Sequence, residues 1–236
     1  MNISDIYKGK LFSVLGDSIS TLDGYTEPCE AAYYKGMKKF EADVFIPEDT
    51  WWGKVIEHFG GFILVNNSIS GSIVCKHPDC EIPSYACSDE RTSALDRCSE
   101  SPDVIMVFTG TNDWGRGMRT VPENESQRAD LSVFSVAYEA MLGKLRANYT
   151  KAELWCFTIP ISICQSDENF VFPYCYGGVH IEKYCDVIRD CANKYGCRLI
   201  DLYKYGTPHD TIDGFHPNAQ GMKTLADSVI AQVEKK

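Results

Sequence analysis

Short apolar runs alternate with helical stripes along the whole chain. Residues 11–15 (LFSVL) read as a first strand, cut off abruptly by Gly-Asp-Ser. Residues 50–59 (TWWGKVIEHF) read as a helix with Asp49 or Thr50 as its N-cap and Gly60-Gly61 as its stop. Residues 62–66 (FILVN) predict a second strand and residues 88–98 a helix. Residues 103–109 (DVIMVFT) are apolar at nearly every position, the mark of a strand buried on both faces of a parallel sheet. Over 127–148, Leu131, Phe134, Tyr138, Met141, Leu142 and Leu145 recur at steps of three and four, which predicts a long helix. A fourth strand is expected over 153–159, ended by Pro160. A helix carrying Ile181, Tyr184, Cys185, Ile188, Ala192 and Tyr195 then runs to Gly196, and a fifth strand covers 197–202. Asn218 caps a last helix that turns Met222, Leu225, Ala226, Val229, Ile230 and Val233 inward.

The resulting order, βαβαβαβαβα, predicts an α/β fold: a parallel sheet with helices on both faces. No linker, repeat or low-complexity tract divides it, so residues 1–236 are expected to form a single domain. Ligands in such sheets bind beyond the carboxyl ends of the strands. The residues just after each strand are therefore the ones to inspect.

Composition narrows the partners. A net charge of −10 argues against nucleic acid and anionic membrane surfaces, which need a basic footprint. No apolar run is long enough to span a bilayer, so membrane insertion is not expected. The start, MNISDIYKGK, lacks a basic segment followed by an apolar core, which predicts a cytoplasmic protein. Eleven cysteines are then expected to be mostly free thiols, with Cys156, Cys185 and Cys191 in core positions. The tightest cluster, Cys75, His77, Cys80 and Cys87, matches no zinc spacing and favours a disulfide over a metal site.

Four segments at the strand ends form a chemical set: Gly16-Asp17-Ser18, residues 67–72 (NSISGS), Gly110-Thr111-Asn112-Asp113, and Asp213-Gly214-Phe215-His216. A serine hydroxyl needs a base to become a nucleophile, and histidine has the suitable pKa. A carboxylate on the other ring nitrogen holds the tautomer. Asp213 and His216, three apart in one loop, can supply both. A tetrahedral oxyanion needs preorganised donors. Gly71 can bring its N–H close, the Asn112 amide can donate, and so can the Ser18 N–H.

These four blocks, in this order, resemble the SGNH subgroup of the GDSL esterase/lipase superfamily. The resemblance runs from the first strand to the last helix. It implies a three-layer α/β/α sandwich, flavodoxin-like, with a five-stranded parallel sheet, no cofactor and no metal, and hydrolysis of esters or thioesters. It implies Ser18 as nucleophile, Asp213 and His216 as the rest of the triad, and Ser18, Gly71 and Asn112 as the oxyanion hole. The first block reads GDSIS rather than GDSL, a difference without chemical consequence. Residues 72–100 follow no pattern of the family.

Plainer readings compete at several positions. Gly-Asp-Ser alone is a turn signal, and Asp17 is assigned only a loop-holding role. Asn112 and Asp113 suit helix caps, and Asp113 is read as structural. His209 shares the loop with His216 but no acid precedes it at the same spacing. His58 and His180, near helix ends, are read as structural, and Trp51-Trp52 as core rather than a sugar crevice. Residues 160–178 carry Phe170, Phe172, Tyr174 and Tyr176. They form either an aromatic wall beside Ser18 or packing that pins a long loop. Trp114, Arg116 and Arg119 can shape the pocket, with solvated charge the plainer role for the arginines.

The expected function is a serine ester hydrolase acting on a small-molecule acyl ester, first of all a short-chain one such as an O-acetylated carbohydrate. A lysophospholipase or acyl-thioesterase is the second reading, and a non-catalytic carbohydrate-binding module on the same fold the third. A nucleotide binder lacks its glycine-rich phosphate loop. The oligomeric state is left open.

Overall fold

A computed structural model describes residues 3–27, 32–78 and 85–235. Its strands are β1 (Leu11–Gly16), β2 (Phe62–Ser68), β3 (Val104–Phe108), β4 (Glu153–Phe157), β5 (Ser162–Ile163), β6 (Arg198–Ile200) and β7 (His209–Asp210). The helices are α1 (Ile3–Tyr7), α2 (Met37–Ala42), α3 (Trp51–His58), α4 (Asp89–Thr92), α5 (Thr111–Gly115), α6 (Phe134–Asn148), α7 (Ile181–Lys194), α8 (Leu202–Tyr205) and α9 (Ala219–Glu234). Five strands form one parallel sheet in the order β2-β1-β3-β4-β6, and β5 pairs with β7 apart from it. Among the described residues no helix is long and apolar enough to cross a membrane.

Strand alternation divides the core between the two faces. Ile105 and Val107 of β3 pack with Phe134, Tyr138 and Leu142 of α6 and Ile181 and Ile188 of α7. Val104, Met106 and Phe108 of the same strand pack with Trp51 and Val55 of α3 and with Met222, Leu225 and Val229 of α9. The expected α/β/α sandwich with a five-stranded parallel sheet is what the chain forms.

Strand order makes β1 the switch point: the chain goes from β1 to one neighbour, β2, and then crosses to the other, β3. Register makes the three carboxyl ends level. Gly16 stands opposite Ser68 on β2 and Phe108 on β3. The loops carrying residues 17–18, 69–72 and 110–112 thus leave the sheet at one height.

Several element boundaries differ from expectation, each for a local reason. The helix expected over 88–98 is only Asp89–Thr92. The Thr92 and Ser93 hydroxyls bond back to the Ser88 and Asp89 carbonyls, and Cys98 and Ser99 take positive φ. The helix expected over 127–148 begins at Phe134, because Asp130 and Val133 hold a turn and the Phe134 and Ser135 N–H groups donate to Arg119 and Thr120. β6 is shorter than expected because Asp201 turns to cap α8, accepting from the Lys204 N–H. β2 runs on to Ser68, and β4 stops at Phe157. Asn218 caps α9 as expected, accepting from Gly221 N–H at 2.8 Å, while Ile230 is only partly buried.

Cys156, Cys185 and Cys191 are buried free thiols, as their apolar positions predict. The expected disulfide is not formed by Cys75 or Cys87, both buried and free; Cys80 lies outside the described residues. Burial pushes the Cys87 thiol up to about 11. Among the described residues no group of His, Cys, Asp and Glu could hold a metal ion.

Candidate active site

Ser18 begins a single 3₁₀ turn, Ser18–Ser20, immediately after β1. Asp17 caps this turn by accepting the Ile19 N–H at 3.1 Å. The turn is clamped from beneath. Trp52 Nε1 and Asn66 Nδ2 both donate to the Ser20 carbonyl, at 3.0 and 2.8 Å, and Trp51 Nε1 donates to Ser20 Oγ at 3.2 Å. The two tryptophans are therefore core, as read, and they also anchor the Ser18 turn. Gly16 is required on steric grounds, since a Cβ there would sit 2.8 Å from Ser20 Cβ, Ser20 Oγ and Ser68 Oγ.

His216 arrives from the other end of the chain. Its Nε2 stands 2.9 Å from Ser18 Oγ, and its Nδ1 is 2.7 Å from Asp213 Oδ2. The Asp213 carboxylate holds its own turn, because Oδ1 accepts the Phe215 and His216 N–H groups at 3.0 and 2.8 Å. Partial burial works to raise the Asp213 carboxyl. The hydrogen bond and charge of His216, with those backbone donors, outweigh it and hold the group well below the usual carboxylate range. An ionised Asp213 keeps the imidazole proton on Nδ1, which leaves Nε2 to accept from the Ser18 hydroxyl.

Gly71 and Asn112 meet at the same edge. Ile69 N–H donates to Gly16 O at 3.2 Å, so the loop after β2 doubles back over the end of β1. Gly71 has φ +76°, which suits glycine, and Asn112 Nδ2 donates to the Ser72 carbonyl at 2.9 Å. That bond uses one of the two amide protons and aims the second elsewhere. Asp113 is buried and accepts the Val74 and Cys75 N–H groups at 2.9 and 3.1 Å, the structural role expected of it. Burial pushes it up to about 6, and pushes Asp17 to about 7.

Two side chains here were invisible in the sequence. Arg91, fully buried in the unmapped segment, donates Nε to Asn67 Oδ1 at 2.5 Å, Nη1 to Ser72 Oγ at 2.9 Å, and Nη2 to the carbonyls of Gly16 and Asn67 at 3.0 and 2.8 Å. One guanidinium thus ties the Ser18 turn to the Gly71 loop. Burial lowers it to about 9, against the attraction of Asp17. Tyr33 lies face to face with the His216 ring, 3.5 Å between centroids and 6° from parallel, and its hydroxyl donates to Asp213 Oδ2 at 2.9 Å. The only sequence signal was a pair of tyrosines before Lys35, with no period or spacing to distinguish it.

The remaining candidates sort themselves by contact. His209 is buried in the β5–β7 pair with Nδ1 3.0 Å from the Ile161 carbonyl, and burial lowers it to about 4. His58 meets Glu234, and His180 caps α7. Arg116 and Arg119 are exposed, Arg119 facing Glu123. The aromatic loop is pinned by packing, the plainer of the two readings. Phe172 stacks on buried Trp114, which pins the loop, and Tyr176 reaches Phe215, the neighbour of His216. Between Ile19, Trp114, Phe172 and Phe215 a cavity of only about 10 Å³ remains. An open groove of about 560 Å³ adjoins it, sharing Ser162 and Phe172 and bearing Asp167, Glu168, Phe170 and Tyr174.

Comparison with known proteins supports one family. Residues 10–166 match the family model described as GDSL-like Lipase/Acylhydrolase. Among solved structures, the chain is similar to a GDSL-like lipase from Bacteroides ovatus at 24% identity and TM-score 0.73, covering 97% of this chain and 100% of that one. A GDSL-like lipase from Bacteroides uniformis matches at 29% identity and TM-score 0.70, covering 97% of each chain. A carbohydrate acetylesterase family member from Sinorhizobium meliloti shares the fold at 16% identity and TM-score 0.56, covering 95% of this chain and 97% of that one. A search of curated proteins finds no match.

Proposed function

The chain belongs to the GDSL-like lipase/acylhydrolase family and is a serine ester hydrolase, and from this premise we propose that Ser18, His216 and Asp213 are its catalytic triad and that it removes short acyl groups, such as acetyl, from a neutral polyhydroxylated alcohol. The observation that carries this reading is the unbroken relay from Ser18 Oγ through the two nitrogens of His216 to Asp213, at 2.9 and 2.7 Å.

In this mechanism His216 Nε2 takes the hydroxyl proton as Ser18 Oγ attacks the acyl carbonyl carbon. The negative charge that develops on the carbonyl oxygen is met by the Ser18 and Gly71 N–H groups and the second Asn112 amide proton. The imidazolium returns its proton to the alkoxide as the carbon–oxygen bond to the alcohol breaks, leaving an acyl-serine. Water then attacks this ester, giving its proton to Nε2, and collapse of the second tetrahedral species frees the acid and restores Ser18. Asp213 stays ionised throughout.

Two observations favour a small acyl group on an uncharged alcohol. The cavity lined by Ile19 and Phe215, the chain neighbours of Ser18 and His216, has room for about one water, so on this reading an acyl chain that enters it is short. The adjoining groove carries Asp167 and Glu168 on a chain of net charge −10, which repels phosphate-bearing lipids and thioesters, while Phe170 and Tyr174 offer faces on which a sugar ring can pack.

The test is a fluorophosphonate probe followed by digestion, together with a panel of nitrophenyl esters of increasing acyl length. Label on Ser18 and kcat/KM falling steeply beyond butyrate support the reading. Label elsewhere would refute the triad, and a preference for long chains would refute the substrate class.

A further inference from the structure

Tyr33 comes to the dyad along a short, well-anchored path. Its N–H donates to Thr21 Oγ1 at 2.8 Å, and the Thr21 hydroxyl donates to the Ser18 carbonyl at 2.8 Å. The next residue, Tyr34, is fully buried and donates its hydroxyl to the Pro217 carbonyl at 2.8 Å. Residues 33–34 are thereby fastened on one side to the turn that carries Ser18. On the other they are fastened to the loop that carries His216.

Building on the proposed triad, we infer that Tyr33 is a positioning residue that holds the orientation of His216, by stacking on its ring and by donating to the same Asp213 oxygen that holds its Nδ1. The two contacts do separate things. A ring parallel to the imidazole at 3.5 Å blocks rotation about the last side-chain bond and excludes water from one face. It also presents its negative face to the imidazolium formed when Ser18 gives up its proton. The hydroxyl shares Oδ2 with the Nδ1–H, so Asp213 divides its charge between two donors there, while Oδ1 serves two backbone N–H groups. A carboxylate held by this many donors is fixed in place, and the Tyr33 hydroxyl thereby also fixes the oxygen to which Nδ1 is bound.

The surroundings leave the hydroxyl as the adjustable part. Burial and the hydrogen bond to Asp213 both raise the Tyr33 hydroxyl, so it is a donor throughout the working range. The ionisable groups that face the pair are Asp213, Lys38 and Glu41, with Tyr34 and Asp17 behind them. Lys38 Nζ lies 5.9 Å from the Tyr33 ring centroid and pairs with Glu41 at 2.5 Å. None of these is removed by changing Tyr33.

Two variants separate the contacts: Tyr33→Phe keeps the ring and loses the hydroxyl, and Tyr33→Leu keeps the bulk and loses both. On a short acyl ester, Tyr33→Phe, which keeps the stack and loses the bond to Asp213, is expected to lower plateau kcat by about twofold to fivefold with KM little changed. Tyr33→Leu is expected to lower plateau kcat by about tenfold to a hundredfold with KM little changed, as for a misplaced reacting group. Melting curves confirm that both variants fold. A Tyr33→Leu plateau equal to that of Tyr33→Phe overturns the inference, as does a loss in either variant confined to KM. Ser18→Ala, assayed alongside, reports on the triad separately: full activity there refutes the triad and leaves the Tyr33 result to be read on its own.

Discussion

The Arg91 guanidinium donates to the Gly16 carbonyl at 3.0 Å and, through its other nitrogen, to Ser72 Oγ at 2.9 Å, so one buried side chain spans the gap between the Ser18 turn and the Gly71 loop. It sits at the end of β1, where those two loops leave the sheet level with each other. A charge here is tolerable because carbonyl and hydroxyl oxygens surround it and the Asp17 carboxylate attracts it.

Arg91→Met should therefore cost more than lost packing. It removes the guanidinium donors of the Asn67 side chain and of the Asn67 and Gly16 carbonyls, the Gly16 carbonyl keeping the Ile69 N–H. The expected loss is about 3 to 5 kcal/mol of stability, the usual cost of removing one member of a buried charged network. Activity should fall by about tenfold or more because the Ser18 turn and Gly71 loop lose their brace. Urea unfolding and kcat at a temperature where the variant is folded check both parts. A variant as stable as the parent would contradict the brace.

Asn112 offers a cleaner separation of chemistry from folding. Its amide is half-used by the Ser72 carbonyl. Asn112→Ala should lower kcat by roughly a hundredfold or more, about 3 kcal/mol of transition-state stabilisation, with KM nearly unchanged. Asn112→Asp should do worse, since a carboxylate would face both that carbonyl and the developing oxyanion. Steady-state kinetics on an acetate ester decide it, and a change confined to KM would remove Asn112 from the oxyanion hole.

The acid next to Ser18 makes stability depend on pH in an uncommon direction. Burial pushes Asp17 to about 7 and Asp113 to about 6, whereas in the unfolded chain both ionise near 3.9. Between these values the folded protein holds more protons than the unfolded one. Their contribution to stability therefore falls as pH rises from about 4 to about 7. Carboxylates held low, Asp213 among them, act with the opposite sign below about pH 4. Asp17→Asn keeps an acceptor for the Ile19 N–H and removes one ionisation, so the decline in Tm between about pH 5 and 8 should become shallower. An unchanged slope would mean that Asp17 ionises in the folded protein at its ordinary value.

What could be read in advance follows from where the information lies. Strand and helix identity is periodic, so the apolar run of β3 and the stripe of α9 announce themselves, and the alternation of elements dictates a parallel sheet. The four loop blocks are short local sequences whose backbone geometry depends on their own glycines, asparagines and aspartates, such as the positive φ of Gly71 and the cap made by Asp17. Boundaries were less legible where side chains compete with the backbone. The Thr92 and Ser93 hydroxyls end α4 by donating to the Ser88 and Asp89 carbonyls, and α6 starts late where its first N–H groups donate to the distant backbone carbonyls of Arg119 and Thr120.

By itself, then, the sequence determined the layer order, the edge of the sheet on which the four loop blocks converge, and five residues that lie along that edge. Tertiary structure alone decided what surrounds them. Tyr33 meets Asp213 across 180 positions, and Arg91 meets Gly16 across 75. Neither contact has a period or a neighbouring motif. Each exists because two loops were brought together by strands that pair in register, and a side chain of the right reach happened to lie between them. Such contacts follow from the path of the folded backbone rather than from any local preference, which is why one segment without a recognisable pattern holds the brace and an ordinary pair of tyrosines holds the histidine.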